Sequence, residues 1–178
     1  VPAWLQEPKS QPRIYLTLGT VSFGAVEVLQ RALGEIADLD LDILVTVGPD
    51  GDPTALGEVG PNVHLEKFVN QSEILSRVDL IVHHGGTGTV LGALAAGIPQ
   101  LILPQGADQF FNARFLTEAG AARALLNEDQ QPGAIRAAVA ALLAEGPEWA
   151  VAQQIQTEIA ALPAPTEVLP ELTALVGA

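Results

Sequence analysis

Residues Asp79 to Pro104 read DLIVHHGGTGTVLGALAAGIPQLILP, and the spacing of their apolar residues changes twice along the way. Asp79-Leu80-Ile81-Val82 is a short, mostly apolar run of the kind a strand buried on both faces shows. From about Thr87 the pattern turns helical, and Gln100 to Leu103 is short and apolar again. The stretch therefore predicts strand, glycine-rich turn, helix and strand. Glycines at 85, 86 and 88 let the backbone turn tightly and let an anion approach without meeting a Cβ. The helix beginning near Thr87 offers unpaired N–H groups and the positive end of its dipole, worth about 0.3–1 kcal/mol to a nearby anion and up to about 2 when partly buried. Thr89 can add a hydroxyl and His84 a ring nitrogen. A bound diphosphate would raise the pKa of His84, because adjacent negative charge favours the imidazolium. The competing reading is a turn shaped only for close helix–strand packing, with two partly buried histidines.

Outward from this unit the same alternation continues. Arg13 to Leu18 is the first strand candidate, followed by Gly19-Thr20 and an amphipathic helix over about Gly24 to Leu39. Leu41 to Val47 is the second strand, closed by Gly48-Pro49-Asp50-Gly51. Val63 to Leu65 is the third, followed by a brief helix around Glu73-Ile74-Leu75. After the opening stretch come a helix over about Gln109 to Glu118 and the apolar run Ala121 to Leu126. From about Pro132 the chain reads as helical, with stretches through AIRAAVAALLAEG, Glu148 to Leu162 and Glu167 to Val176. This order predicts an α/β fold: a Rossmann-like parallel sheet with helices on both faces and a helical C-terminal tail. The proline-rich ends read as connecting segments rather than core. In an open parallel sheet, ligands bind outside the carboxyl ends of the strands. Four loops lie at such ends, Gly19–Ser22, Phe68–Gln71, His84–Thr89 and Gln105–Gln109, and they should converge on one cleft.

Composition bounds the function. The chain has 178 residues, ordinary for one domain. Its 21 acidic and 8 basic residues give a net charge of −13, the wrong sign for a nucleic-acid surface or an anionic membrane. A phosphate bound here must be held locally. With no cysteine, the chain has no disulfide, cysteine nucleophile or thiolate zinc site, which fits a reducing compartment such as the cytoplasm. No signal-peptide pattern or membrane-length apolar run is visible. Phe68, in EKFVNQSEIL, offers a ring on which a base can stack, or a core aromatic. Gly19-Thr20 offers a further N–H and hydroxyl, or simply a turn.

Several segments in order resemble the C-terminal, nucleotide-sugar-binding half of GT-B-fold glycosyltransferases, in particular bacterial natural-product enzymes related to UDP-glycosyltransferases. They are VPAWL, RIYLTLGT, FVNQSEIL, LIVHHGGTGTVLGALAAGIPQLILPQGADQFFNARFLTEAGAA and LPAPTEVLPELTAL. The resemblance implies that residues 1–12 are the end of an interdomain linker and 13–163 a nucleotide-sugar-binding domain. Residues 164–178 would be a helix that crosses back to an N-terminal acceptor-binding domain. It implies that Phe68 stacks on the pyrimidine, that the backbone of Val69 reads its edge and that Gln71 touches the ribose. His84, Gly86, Thr87, Gly88 and Thr89 would hold the diphosphate, with Thr20 facing them, and Asp108 and Gln109 would hold sugar hydroxyls. Asp108 could alternatively cap the helix that opens at Gln109.

Plant UDP-sugar enzymes carry a ribose-binding glutamate three residues after the Thr89 position; here that residue is Gly92. A 2′-hydroxyl without its acceptor would be poorly satisfied, so a TDP-sugar is expected as donor over a UDP-sugar. The implied enzyme is inverting, with its general base on the N-terminal domain. The chain alone is expected to bind donor without turnover, to use no cofactor or metal, and to expose an interdomain face open to self-association. Three rivals differ. Gly86-Thr87-Gly88 with Gly92 is near the G-x-G-x-x-G of an NAD(P)-binding oxidoreductase, but one residue too long and not after the first strand. A non-catalytic nucleotide-binding module would keep only the cleft. An epimerase would need an acid/base set that is not visible.

Overall fold

The computed structural model describes residues 1–19 and 25–176. Its elements run β1 (Arg13–Thr17), α1 (Ala25–Ile36), β2 (Asp42–Thr46), β3 (Val63–Glu66), α2 (Gln71–Ile74), β4 (Leu80–His83), α3 (Thr87–Ala96), β5 (Gln100–Ile102), α4 (Gln109–Glu118), β6 (Ala122–Ala124), α5 (Ala134–Leu143), α6 (Pro147–Ala160) and α7 (Pro165–Val176). The six strands form one sheet in the order β3-β2-β1-β4-β5-β6, every neighbouring pair parallel. This is the expected Rossmann-like α/β arrangement. The order reverses between β1 and β4, and a crevice opens at their carboxyl ends.

Strand alternation distributes the core to two faces. Ile14, Leu16, Ile43, Val45, Leu80, Val82 and Leu101 point to one face, where α1 lays down Leu29, Ala32, Leu33 and Ile36, and α5 lays down Ile135, Ala138, Val139 and Leu142. Both helices use the i, i+3, i+4, i+7 spacing of a single apolar stripe. Tyr15, Leu44 and Ile81 point to the other face with Ile74, Leu75 and Ala93. Beside them, Ile102 packs with Val90 and Leu94 of α3 and with Ala113 and Leu116 of α4; α6 closes over this group through Val151, Ile155 and Ile159.

The N-terminal segment differs from the expectation of a connecting stretch outside the core. Leu5 is 1% exposed and belongs to the second core, and Trp4 stacks on His64 with ring centroids 3.8 Å apart. The buried Arg13 holds this segment down. Its guanidinium donates to the carbonyls of Leu5 (3.2 Å), Trp4 (3.2 Å) and Glu7 (3.0 Å) and lies over the Trp4 ring. At the other end, α7 leaves Leu169, Leu172 and Leu175 exposed. Among the described residues, no helix is long and apolar enough to cross a membrane.

Candidate functional site

A cleft of about 410 Å³ lies at the carboxyl ends of β1, β2, β3 and β4. Its floor is a chain of buried hydroxyls that ties the strands together. The Tyr15 hydroxyl bonds Thr46 Oγ1 at 2.9 Å, Thr46 Oγ1 donates to Thr17 Oγ1 at 2.8 Å, and Thr17 Oγ1 accepts the Gly19 N–H at 3.3 Å. The backbone leaving β1 is thereby fixed at Gly19, which takes φ +80°.

The β4–α3 turn is built on two histidines with different tasks. β4 runs to His83, one residue further than the apolar run suggests, and alternation sends this side chain to the same face as Ile81 and Gln100. His83 is fully buried. Its Nδ1 accepts the Gly85 N–H at 3.0 Å, so the proton resides on Nε2, which donates to Gln100 Oε1 at 2.9 Å. Burial pushes its pKa down to about 3, helped by neighbouring His84 and opposed by Gln100, so the ring is neutral at any physiological pH. His83 holds the turn in place from below.

His84 faces the crevice. Its ring lies between two glycines: a Cβ on Gly19 would come within 2.7 Å of His84 Cε1, and one on Gly86 within 2.4 Å of Nε2. Glycine is required at both positions for the ring to sit there. Its Nδ1 is buried without a hydrogen-bond partner among the described residues. Burial lowers the His84 pKa, partly offset by the negative charge of Asp108.

Beyond His84, Gly85 takes φ +93° and lets α3 start from Gly86. Val90 N–H bonds Gly86 O at 3.0 Å, and the Gly86 cap makes no side-chain bond, so the amides of Thr87, Gly88 and Thr89 sit at the open end of the helix. A Cβ built on Gly88 would meet no atom within 4 Å. Nothing in the protein's own packing demands glycine at 88.

A strut from α4 braces this end. Asn112 Nδ2 donates to the carbonyl of Gly85 at 2.8 Å and to Thr87 Oγ1 and Asp108 Oδ2 at 3.2 Å each, while the Thr87 hydroxyl donates to Asp108 Oδ2 at 2.8 Å. The Thr87 side chain is therefore turned to Asp108, leaving its backbone amide for an anion. Asp108 makes no side-chain cap bond to α4, contrary to the capping alternative. Its pKa is lowered, first by the Thr87 hydroxyl and then by backbone and Asn112 donors. Gln109 Oε1 accepts from the amides of Gln105 (2.7 Å) and Gly106 (3.1 Å). Asp108 is thus joined to the cleft through Thr87, Gln109 is tied to its own loop, and neither lines the cleft.

On the opposite side, Phe68 is 63% exposed and lines the cleft, which excludes the reading of it as a core aromatic. Val69 is half-buried against the second core. Gln71 Nε2 reaches Thr89 Oγ1 at 3.4 Å, bridging α2 to α3. One turn along α3, a Cβ on Gly92 would press Leu75 Cδ1 at 3.1 Å and stand 3.8 Å from Gln71 Oε1. Thr20 lies outside the described residues. Of the four expected loops, those at Phe68–Gln71 and His84–Thr89 converge directly, Gly19 joins them, and the Gln105–Gln109 loop reaches the cleft through Asp108.

Residues 30–175 match the family described as "Erythromycin biosynthesis protein CIII-like, C-terminal domain". The chain belongs to this family. The CIII-like domain is 31% identical over 98% of its length to L-demethylnoviosyl transferase of Streptomyces niveus, covering 47% of that protein. Among solved structures it is similar to the spinosyn forosaminyltransferase SpnP, with a TM-score of 0.85 and 32% identity over 100% of this chain and 47% of the other. It is also similar to the glycosyltransferase VinC in complex with dTDP, with a TM-score of 0.84 and 35% identity over 98% of this chain and 44% of the other. The CIII-like domain therefore spans less than half the length of each of these proteins.

Three features of the CIII-like domain's site escape reading from sequence. Asn112 acts on residues 25 and 27 positions earlier in the chain, a contact that only the packing of α4 against α3 creates. The Tyr15–Thr46–Thr17 floor joins side chains that point to the same side of adjacent strands, 29 and 31 positions apart. Gln100 opens an otherwise apolar strand and reads as an interruption until it is seen to receive His83. A polar residue inside a buried strand was the available signal.

Proposed function

We propose that this domain holds the nucleoside diphosphate of an activated sugar, a TDP-sugar, as the donor half of an inverting glycosyltransferase acting on a small natural product. The observation that carries the reading is the His84 ring, seated between Gly19 and Gly86 at the open end of α3, its Nε2 toward Gly86 and its buried Nδ1 without a partner among the described residues. A diphosphate there takes the amides of Gly86 to Thr89, the Thr89 hydroxyl and the His84 ring. Gly88 keeps the approach clear. Phe68 presents an exposed ring for the base, the Val69 backbone its edge contacts, and Gln71 a group for the pentose. In this reading Asp108, reached through Thr87, and Gln109 beside it hold sugar hydroxyls.

Gly92 supports a deoxyribose donor: it supplies no carboxylate to a 2′-hydroxyl, and a larger side chain would press on Leu75. The dTDP in the VinC complex, a relative at 35% identity, agrees with this choice.

In the reaction, an acceptor hydroxyl attacks the anomeric carbon while the nucleoside diphosphate leaves from the opposite face. Charge accumulates on the departing phosphate oxygen, and donors already aimed at it lower the barrier without reorganising. His84 gains most from this change, because growing negative charge raises its pKa and favours the protonated ring. The reading assigns no metal or cofactor to these steps. It places the base that deprotonates the acceptor on an acceptor-binding half, the partner this domain requires. The 178-residue chain is expected to bind donor and not to transfer sugar.

Calorimetric titration of the chain with TDP, UDP and NAD tests the assignment. TDP should bind tightest, UDP more weakly and NAD not at all. A preference for UDP would overturn the deoxyribose choice, and absence of TDP binding would overturn the donor assignment.

A further inference from the structure

A nucleotide entering this cleft approaches a chain with a net charge of −13, so the location of each of its eight cations matters. Five are committed to carboxylates: Lys9 to Asp79, Arg13 to Asp42, Arg114 to Glu118, Arg123 to Glu148 and Arg136 to Asp38. Arg31 donates to the side chain of Gln130 and Arg77 to the carbonyl of Leu5. Lys67 alone enters no hydrogen bond or ion pair among the described residues, and it lines the donor cleft immediately past the end of β3, next to Phe68. Its charge acts weakly on Asp52, whose Oδ1 already accepts the Thr54 N–H at 2.9 Å and which forms no ion pair with Lys67. His84 is held toward its neutral form by burial, and Asp108 adds negative charge beside Thr87. Lys67 is thus the one full positive charge among the described residues that line the cleft.

We propose that Lys67 is an electrostatic anchor for the donor, its ammonium swinging over the cleft on a flexible four-carbon stem to pair with the nucleotide's diphosphate. This rests on the donor-binding reading above and adds a residue to it. The side chain is exposed, so the pairing is modest in strength and sensitive to salt. That sensitivity identifies it. A lysine serving instead as a hydrogen-bond donor to a pyrimidine carbonyl, the other role open to a neighbour of Phe68, would act on a neutral nucleoside just as well.

The test titrates TDP and thymidine into the wild-type chain and Lys67→Gln, at about 20 mM and about 300 mM salt. Gln at an exposed position leaves the fold intact, which thermal unfolding checks. At low salt Lys67→Gln should bind TDP about threefold more weakly, the difference should vanish at high salt, and thymidine should bind both proteins equally. Lys67→Arg should retain wild-type TDP affinity. Equal TDP affinity of wild type and Lys67→Gln at low salt would overturn the proposal, as would an equal loss for TDP and thymidine. Failure of the wild-type chain to bind TDP at all would instead overturn the donor reading itself.

Discussion

His83 and His84 share a peptide bond and differ in nearly everything that decides what a histidine does. His83 is fully buried, with both ring nitrogens engaged by Gly85 and Gln100, and is kept neutral by a pKa near 3. His84 turns the other way, into a slot kept open by two glycines, with Nδ1 left without a partner among the described residues. A ring whose hydrogen bonds close on the protein is scaffold. A ring with an orphaned nitrogen at the mouth of a helix is arranged for something that comes from outside, since a buried polar atom without a partner costs about 1–3 kcal/mol. The strand's alternation makes the division, sending residue 83 inward and freeing residue 84 to follow the turn.

The comparison breaks first on stability. His83→Ala removes a buried ring and strands the Gly85 N–H and the Gln100 carbonyl oxygen, so unfolding free energy should fall by about 2–4 kcal/mol in denaturant titration. A loss below about 1 kcal/mol would mean that the His83 network is not structural. The next effect sharpens the same distinction among the glycines. Gly88→Ala faces no protein atom within 4 Å and sits in the first turn of α3, so stability should hold or rise by up to about 1 kcal/mol. TDP affinity should drop by about tenfold as the new methyl meets the phosphate. Unchanged affinity would remove the argument that Gly88 is kept for a ligand.

The scaffold was largely legible in the sequence, for a physical reason. Strands buried on both faces have to be apolar throughout, and Ile14 to Leu16, Ile43 to Val45 and Leu80 to Val82 announce themselves in that way. The turn was legible because glycine at 85 and 86 follows from backbone angle and ring clearance, constraints that leave few other residues. Where meaning depended on a partner distant in sequence, reading failed. Thr87 read as a diphosphate ligand, and only the structure shows that its hydroxyl is turned to Asp108 while its amide stays free; Asp108, read as a sugar contact or alternatively as a helix cap, makes no cap bond. Leu5 lay in a proline-rich segment and belongs to the core because Arg13 holds three carbonyls of that segment. Asn112 carried no local pattern at all.

The central claim, that His84 and not His83 meets the diphosphate, is tested most directly by the TDP affinity of wild type and His84→Ala as a function of pH. Burial holds the free His84 pKa below its usual 6.5, and a bound diphosphate raises it. Between those two values binding takes up a proton, so the His84 contribution is greatest at low pH and fades as pH rises through the bound-state pKa. Ionisation of the terminal phosphate, with a pKa of about 6, works in the opposite direction and is common to both proteins. The wild type should therefore bind TDP about tenfold more tightly than His84→Ala near pH 6, with the ratio shrinking steadily toward about pH 8. A ratio near one, or one that does not change with pH, would contradict the account.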